Sequence, residues 1–171
     1  MEILVTADGW LRHGDRWCRC ALGKGGLRGD KREGDGATPV GAFPLRRVLY
    51  RPDRAAPPAT ALPCVPIGPD DGWCDDPGAA EYNRPVRLPH AASAERLWRE
   101  DGLYDLVVVI GHNDQPPAPG RGSAIFLHLA SPDYGPTEGC VALARPDLLS
   151  LLALCDGDSV VRIEDSQRAD T

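Results

Sequence analysis

The sequence predicts a mostly-β or α+β fold. Segments with strand character outnumber those with helical character, and the two kinds do not alternate in the β-α-β order of a parallel sheet. The chain also holds 19 Gly and 17 Pro among its 171 residues, which predicts frequent turns. This length suffices for a buried core without disulfides, so we expect one domain over 1–171 that ends in a polar tail at 164–171.

Eight strands are expected along the chain. Asp8-Gly9 is a hairpin signal between the first two, and residues 16–22 alternate like a half-buried strand. The apolar run Leu106-Val-Val-Val-Ile110 predicts a central strand that is buried on both faces. The expected strands are 2–7, 10–13, 16–22, 42–49, 62–67, 103–111, 123–129 and 159–163, with a short extended piece at 139–143.

Two helices are expected as well. A short one at 93–100 would begin at Ser93, whose hydroxyl can cap a helix N-terminus. A longer one at 145–155 has Pro146 in its first turn. Residues 68–92 are expected to be irregular. The leucines that the second helix would turn to the core are Leu148, Leu149, Leu151, Leu152 and Leu154.

Composition excludes two kinds of partner. The 19 basic and 25 acidic residues give a net charge of −6, which argues against nucleic acid because duplex binding requires excess Lys and Arg. No apolar run approaches the length of a transmembrane helix. The first residues lack the basic and apolar regions of a signal peptide, so the sequence predicts a cytoplasmic protein. We also expect a monomer. A removed leader or unconventional export would make it periplasmic.

The six cysteines favour neither a metal site nor a disulfide framework. No Cys-x-x-Cys pair is present, and the histidines lie far from the cysteine pairs in sequence, so we expect no metal and no cofactor. Cys64 and Cys74 bracket a loop and could pair if the protein is exported. Otherwise the thiols are expected to be free. The cysteines assigned to the core are Cys18, Cys20, Cys64 and Cys155.

One cysteine is a candidate nucleophile. His128 lies near the end of a buried strand, and Cys140 follows Gly139 after a loop, so the two side chains can meet. Cysteine catalysis needs a thiolate and a nearby proton acceptor, and a protonated imidazole lowers the pKa of the thiol. Gly139 would let a substrate carbonyl approach the backbone N–H groups of an oxyanion hole. The alternative is a buried thiol and a core histidine that are close only in sequence.

These residues resemble the active-site block of the L,D-transpeptidase (YkuD-type) catalytic domain family. Its pattern is a His, a loop and then Ser/Thr-x-Gly-Cys, and here it reads Ser123-Ala-Ile-Phe-Leu-His128 followed by Pro136-Thr-Glu-Gly-Cys-Val-Ala-Leu143. Upstream, Thr38-Pro-Val-Gly-Ala-Phe43 is similar to the family's Thr-Pro-x-Gly-x-Phe segment. The resemblance runs from about residue 20 to 163. Segments similar to a compact bacterial branch are 71–76, 82–85 and 104–112.

The resemblance implies a β-sandwich with a few short helices and a role for each site residue. Cys140 would be the nucleophile and His128 the base, with the carbonyl of Leu129 as the third partner. The backbone N–H of Cys140, together with Gly139, would hold the oxyanion. The sequence departs from the family pattern at Glu138, where His is usual, and at the position two after the cysteine, where Ala replaces Arg. A carboxylate beside the thiol opposes thiolate formation unless it is turned outward or paired.

The resemblance also implies the reaction, which is acyl transfer on peptidoglycan stem peptides or muropeptides. A thioester on Cys140 would expel a terminal D-amino acid and then pass to an amine, forming a cross-link, or to water, trimming the stem. No cofactor is needed, and carbapenem-type β-lactams should inactivate the thiol. Whether the protein is an L,D-transpeptidase, an L,D-carboxypeptidase or both depends on its compartment and stays open.

Four further residues are candidates for substrate binding. His112 could line the site or be a satisfied loop histidine, and Trp73 could wall the cleft or simply pack. Arg84 could bind a stem carboxylate, although a salt bridge with a nearby acidic residue is the alternative. Glu138 adjoins the nucleophile motif. The Gly-rich loop 23–36 is expected to be the flexible rim of the cleft, whereas His13 and His90 are expected at the surface.

Two other functions compete with the enzyme. The first is a catalytically silent module of the same fold that binds wall peptides, which the departures at Glu138 and Ala142 leave open. The second is a cysteine peptidase acting on ordinary proteins, with Cys74 as a rival nucleophile. Nothing in the sequence favours the second.

Overall fold

The computed structural model describes residues 1–168 and shows a mostly-β fold, as predicted. Within these residues there are fourteen strands and one helix, α1 (Arg145–Leu152). The strands are β1 (Glu2–Thr6), β2 (Trp10–His13), β3 (Arg16–Ala21), β4 (Leu27–Arg28), β5 (Thr38–Pro39), β6 (Gly41–Tyr50), β7 (Cys64–Pro66), β8 (Asp71–Cys74), β9 (Pro85–Arg87), β10 (Ala94–Arg96), β11 (Leu106–Ile110), β12 (Phe126–Leu129), β13 (Val141–Leu143) and β14 (Val160–Glu164).

Nine strands form one sheet that closes on itself. Their order is β11-β12-β13-β3-β2-β1-β14-β6-β7, and β11 also pairs with β6. The long strand β6 makes this closure possible, because its first half pairs with β14 and its second half with β11. β3 likewise pairs with β2 and with β13. The ring therefore consists of two layers that share β3 and β6.

The main core fills the space between the two layers. One layer contributes Ile3, Val5 and Leu11 from β1 and β2, and the other contributes Val108 and Leu127 from β11 and β12, all 0–3% exposed. Three of the four leucines of α1 pack against the same core, namely Leu148, Leu151 and Leu152. Burial of this apolar surface is the main stabilising contribution to the fold.

A second apolar cluster lies on the outer face of the layer that contains β11, β12 and β13. Strands β10, β8 and β9 form a separate three-stranded sheet, and its Trp73 packs in one cluster with Val107, Val109 and Phe126. All five residues of β11 are buried, which confirms the prediction of a strand covered on both faces. Cys140 belongs to this second cluster.

The predicted helix at 93–100 is wrong. The segment forms strand β10, whose Ala94 and Glu95 pair with Cys74 and Trp73 of β8. Ser93 therefore caps no helix. Tertiary strand pairing outweighs the local capping signal here, as it often does for short segments. The neighbouring segment 68–92, predicted to be irregular, contains β8 and β9, which are too short to show a period-2 pattern.

Other local predictions fail for reasons of periodicity. Helix α1 ends at Leu152 rather than at 155, so Leu154 lies beyond it and is 56% exposed. Leu149 is 40% exposed because the 3.6-residue period leaves only one face of α1 against the core. The other three leucines are buried as predicted. His13 is buried rather than at the surface, since it shares an inward face with Leu11.

The remaining predictions concern the thiols and the tail. All six cysteines are free, so Cys64 and Cys74 do not pair. Cys64 is only half-buried, whereas the other cysteines assigned to the core are buried. The polar tail predicted for 164–171 begins after Glu164, the last residue of β14. The backbone N–H of Arg168 donates to the Asp8 carboxylate, and residues 169–171 lie outside the described part of the chain.

Candidate active site

Two neighbouring parallel strands position the candidate nucleophile and base. In the register of β12 and β13, His128 lies opposite Ala142, and Cys140 lies two residues before Ala142. Residues two apart along a strand point to the same face, so Cys140 and His128 share one face of the sheet. The pleat sends Leu127 and Leu129 to the opposite face, where they join the main core. Both candidate residues line one cleft of about 460 Å³.

The imidazole of His128 is held in one tautomer. Its Nδ1 lies 2.9 Å from the carbonyl oxygen of Leu129, which can only accept, so Nδ1 carries the proton. The other nitrogen, Nε2, is therefore unprotonated and free to act as a base. The side chain is 6% exposed, and this burial lowers the pKa of His128 to about 4. The carbonyl that the sequence assigned as the third partner lies at hydrogen-bonding distance.

The thiol of Cys140 is buried and protonated. Its Sγ accepts a hydrogen bond from the backbone N–H of Phe126 at 3.4 Å and donates one to the carbonyl oxygen of Ala124 at 3.2 Å. Burial, and then the charge of Glu95, raise the pKa of Cys140 to about 12. The resting site thus contains a protonated thiol and a neutral imidazole. The lowering of the thiol pKa predicted from the sequence requires a protonated histidine, and His128 is not protonated here.

A tight turn presents the nucleophile. The Thr137 hydroxyl donates to the carbonyl oxygen of Cys140 and accepts from the backbone N–H of Gly139 at 3.1 Å. Gly139 has φ +136°, and a Cβ there would lie 2.8 Å from the carbonyl oxygen of Ala37. The position therefore requires glycine for its conformation and for its close contact with a segment about one hundred residues earlier in the chain.

The side chain of Glu138 points away from the thiol. It is 81% exposed and forms a salt bridge with Lys24 at 2.9 Å. The backbone N–H of Lys24 also donates a hydrogen bond to the carbonyl oxygen of Thr137 at 2.8 Å. The carboxylate that replaces the usual histidine is thus turned outward and paired, which is the condition under which it does not oppose the thiolate. It still contributes to the cleft wall.

The other three candidate binding residues do not line this cleft. Trp73 packs behind it, with its indole ring edge-on to Phe126 at 5.2 Å and its N–H donated to Asn83 at 2.9 Å. The ring of His112 is buried and lies 5.2 Å from the ring of Phe43. Both residues therefore support the wall from behind. Their predicted contact with substrate has no counterpart in this arrangement.

Arg84 lies in a different groove. This groove, of about 200 Å³, also includes Arg46, Arg47 and Asp114. Arg84 is exposed, and within residues 1–168 its guanidinium forms no salt bridge, so the alternative of a pair with Asp75, Asp76 or Glu81 is not realised. Within the Tyr-Asn-Arg-Pro segment only Arg84 and its neighbours Asn83 and Pro85 line this groove, whereas the hydroxyl of Tyr82 donates to Glu33 of the cleft wall.

Several residues of the cleft were not predicted from the sequence. Glu33 and Gly34 place the Gly-rich loop in the cleft wall, as predicted, but the carboxylate of Glu33 also accepts hydrogen bonds from the hydroxyls of Tyr82 and Ser123. The residues that line the cleft are Glu33, Gly34, Asp75, Glu95, Arg99, Leu103, Tyr104, Ser123, Ala124, His128, Leu129, Ser131, Gly135, Pro136, Thr137, Glu138, Cys140 and Ala142.

The described residues offer neither a metal site nor a membrane span. Among residues 1–168, no three His, Cys, Asp or Glu side chains come together as ligands would. Helix α1 is eight residues long, and no helix in the described part of the chain is long and apolar enough to cross a bilayer.

The β-rich fold thus opens one cysteine, Cys140, and one histidine with a fixed tautomer, His128, onto a single cleft. The model of the L,D-transpeptidase catalytic domain family, YkuD, matches residues 3–163. The chain belongs to this family, which confirms the resemblance seen in its motifs.

Solved structures with a similar fold include the helical cell shape determining protein Pgp2 from Campylobacter jejuni and a point mutant of it. The TM-scores are 0.47 and 0.46, with 16% sequence identity in both cases. The alignments cover 99% of this chain and 49% and 48% of those chains, so this chain spans about half of their length. No curated protein sequence matches the chain significantly.

The buried histidines predict that the protein loses stability in mild acid. Burial lowers the pKa of both His112 and His128 to about 4, against about 6.5 when unfolded. Between these values the unfolded chain binds more protons, so their contribution to stability is full above pH 6.5 and falls as the pH decreases. We expect a loss of about 2 kcal/mol per histidine between about pH 6.5 and 5, measured by urea unfolding.

The control for this experiment is His112→Gln. Burial raises the pKa of Glu95, so this residue makes the folded state more stable as the pH falls, opposite to the histidines. The difference in pH dependence between the wild-type protein and the variant therefore isolates the contribution of His112. The variant should lose the part of the slope that comes from His112 and keep the parts that come from His128 and from His13, whose pKa burial also lowers. Equal slopes in both proteins would show that His112 does not titrate differently in the folded state.

Proposed function

We propose that this protein is a cysteine-dependent acyltransferase or peptidase that acts on peptidoglycan stem peptides through a thioester on Cys140. The observation that carries the proposal is that Cys140, directly before β13, and His128, on the neighbouring parallel strand β12, share one face of the sheet and one cleft, with Nδ1 of the imidazole fixed by Leu129. It would serve as an L,D-transpeptidase, an L,D-carboxypeptidase or both, since one acyl-enzyme leads to either product.

The first half of the reaction forms the thioester. Nε2 of His128 takes the proton of the Cys140 thiol as Sγ attacks the carbonyl carbon of the stem peptide. The backbone N–H of Cys140 holds the oxyanion. Gly139 has a different role here, because its own N–H is donated to Thr137 and its missing Cβ permits the turn. Collapse of the tetrahedral intermediate breaks the peptide bond, and His128 protonates the leaving amine.

The second half of the reaction releases the acyl group. His128 removes a proton from an acceptor amine or from water, the new nucleophile attacks the thioester carbon, and the proton returns to Sγ. Neither half requires a metal or a cofactor. The electrostatics of the cleft support a cationic substrate, because its wall carries Glu33, Asp75 and Glu95 against a single arginine, Arg99.

The acidic wall complements the ammonium group that the diamino acid of a stem peptide carries. Oδ1 of Asp75, a residue of this wall, is buried without a hydrogen-bond partner within residues 1–168 and is an unsatisfied acceptor next to the cleft. Arg99 is itself paired with Asp101, which further reduces the positive charge offered to a ligand. An anionic or purely apolar peptide would gain nothing from this wall.

Mass spectrometry of the purified protein with a disaccharide-tetrapeptide tests the proposal. We expect an acyl-enzyme mass on Cys140, with either a tripeptide product that has lost terminal D-Ala or a cross-linked dimer. Cys140→Ala should give neither product. Cys74→Ala removes another buried thiol outside the catalytic pair and should leave product formation unchanged. A carbapenem should label Cys140 alone.

The outcomes separate the competing functions. A tripeptide assigns carboxypeptidase activity, and a cross-linked dimer assigns transpeptidase activity. If neither product nor an acyl-enzyme forms with the wild-type protein, the enzyme proposal fails and the wall-peptide-binding module takes its place. Products that persist in Cys140→Ala but vanish in Cys74→Ala would move the nucleophile to the rival cysteine.

A further inference from the structure

Tyr104, which is buried, and Glu95, which is half-buried, lie in the cleft wall and are hydrogen-bonded to each other. Tyr104 lies just before β11, and its hydroxyl donates a hydrogen bond to the carboxylate of Glu95 on β10. The phenol ring is 5% exposed, and both residues line the cleft with Cys140 and His128. A buried tyrosine hydroxyl requires a partner, and Glu95 supplies it.

The ring of Tyr104 contacts the imidazole directly. Its centroid lies 5.2 Å from that of His128 at an interplanar angle of 68°, and 5.9 Å from that of Phe126 at 79°. The guanidinium of Arg99 covers the ring at 4.8 Å from its centroid. Edge-to-face packing restricts the plane of the imidazole, while the hydrogen bond to Leu129 fixes its tautomer. The hydroxyl bond to Glu95 in turn prevents Tyr104 from moving away.

Glu95 also acts electrostatically on the nucleophile. Its carboxylate opposes the thiolate of Cys140, whereas Lys31 and Arg99 favour it. Burial raises the pKa of Glu95, while the hydrogen bond from Tyr104 and the charge of Arg99 stabilise its ionised form. The titratable and charged groups that line the cleft with the thiol are Glu33, Asp75, Glu95, Arg99, Tyr104, His128 and Glu138, and the charge of Lys31 acts on the thiol from outside the cleft wall.

We propose that Tyr104 and Glu95 are a positioning pair for the reaction: Tyr104 orients His128 by packing against its ring, and Glu95, held by the Tyr104 hydroxyl, places its carboxylate in the cleft that Cys140 lines, where its negative charge opposes the thiolate. This inference rests on the proposed function for its role in catalysis. Neither residue touches the reacting atoms in this scheme. Glu95 restrains the nucleophile through its charge, and Tyr104 holds that charge in place.

The test measures alkylation of Cys140 by iodoacetamide as a function of pH, with the adduct located by peptide mass spectrometry. Glu95→Gln removes the charge, yet its amide oxygen can still accept the hydrogen bond from Tyr104, so the wall is preserved. We expect alkylation about tenfold faster than in the wild-type protein at about pH 8, because one unit of thiol pKa changes the thiolate fraction tenfold. Alkylation needs no stem peptide, so this result is independent of turnover.

Tyr104→Phe is the second variant. It keeps the ring against His128 but removes the donor that stabilises the ionised form of Glu95, so the alkylation profile should shift in the same direction by a smaller amount. Glu100→Gln is the matched control, since Glu100 is 84% exposed in the same segment and lies outside the cleft. It removes an equal charge and should leave the profile unchanged.

Three results would overturn the proposal. One is an unchanged alkylation profile in a folded Glu95→Gln protein, and another is an equal shift in Glu100→Gln, which would show a general charge effect. The third is a shift of the Tyr104→Phe profile toward higher pH. If the profiles shift as expected but no muropeptide product forms, the positioning pair stands and the proposed reaction alone is wrong.

Discussion

His128→Asn is expected to lower the rate of thioester formation by about three orders of magnitude. The amide nitrogen of asparagine can still donate a hydrogen bond to the carbonyl oxygen of Leu129, as Nδ1 of His128 does over 2.9 Å. The variant has no atom that can take a proton in the place of Nε2. Because the pKa of the thiol lies near 12, little thiolate forms at neutral pH without this base. The measurement is the single-turnover rate of acyl-enzyme formation, followed by intact mass.

The control for this prediction is His90→Asn. His90 is a half-buried histidine outside the cleft, and its loss should leave the acylation rate at the wild-type value. A rate for His128→Asn within tenfold of the wild-type rate would remove His128 from the role of base. It would also require that another group near Cys140 accepts the proton.

Gly139→Ala is expected to abolish acylation and to destabilise the fold by about 2 kcal/mol or more. The new Cβ would lie 2.8 Å from the carbonyl oxygen of Ala37 and 3.4 Å from Cδ1 of Ile125, at a φ of +136° that L-residues rarely adopt. Relief of this contact requires the backbone of the turn to shift, which moves the N–H and the thiol of Cys140. Urea unfolding and carbapenem labelling measure the two effects separately.

Gly157→Ala provides the comparison for this substitution. A Cβ at Gly157 meets no atom within 4 Å, so the same chemical change is made without a collision. We expect its acylation rate to be that of the wild-type protein. If Gly139→Ala is folded and labelled at the wild-type rate, then the turn tolerates a side chain and the close approach of Ala37 has no catalytic consequence.

The parts of the fold that the sequence predicted best are long and periodic. The run from Leu106 to Ile110 is apolar at every position and is buried on both faces. Strand β10 was not foreseen, because its three residues carry no period and Ser93 before it is a good helix cap. Its pairing with β8, more than twenty residues earlier, decides its conformation. Non-local pairing of this kind cannot be read from a local window.

The candidate site was predictable to the extent that its chemistry is local. Cys140 and His128 are separated by twelve positions, and their motif could be read directly. Glu95 and Tyr104 reach the cleft from other elements, and nothing in their neighbours marks them. Arg84 and Trp73 show the opposite case. Their residue types suggested ligand binding, but Arg84 lines another groove and Trp73 is buried.

The position of β14 restricts the order in which this protein can be completed on the ribosome. β14 inserts between β1, to which it is parallel, and the first half of β6, although both are synthesised more than one hundred residues earlier. Until residues 160–164 emerge, the facing edges of those two strands have no partner. Cys140 and His128 therefore leave the ribosome before the sheet around them can close. The nascent chain must protect two open strand edges, which are templates for aggregation, until its last strand arrives.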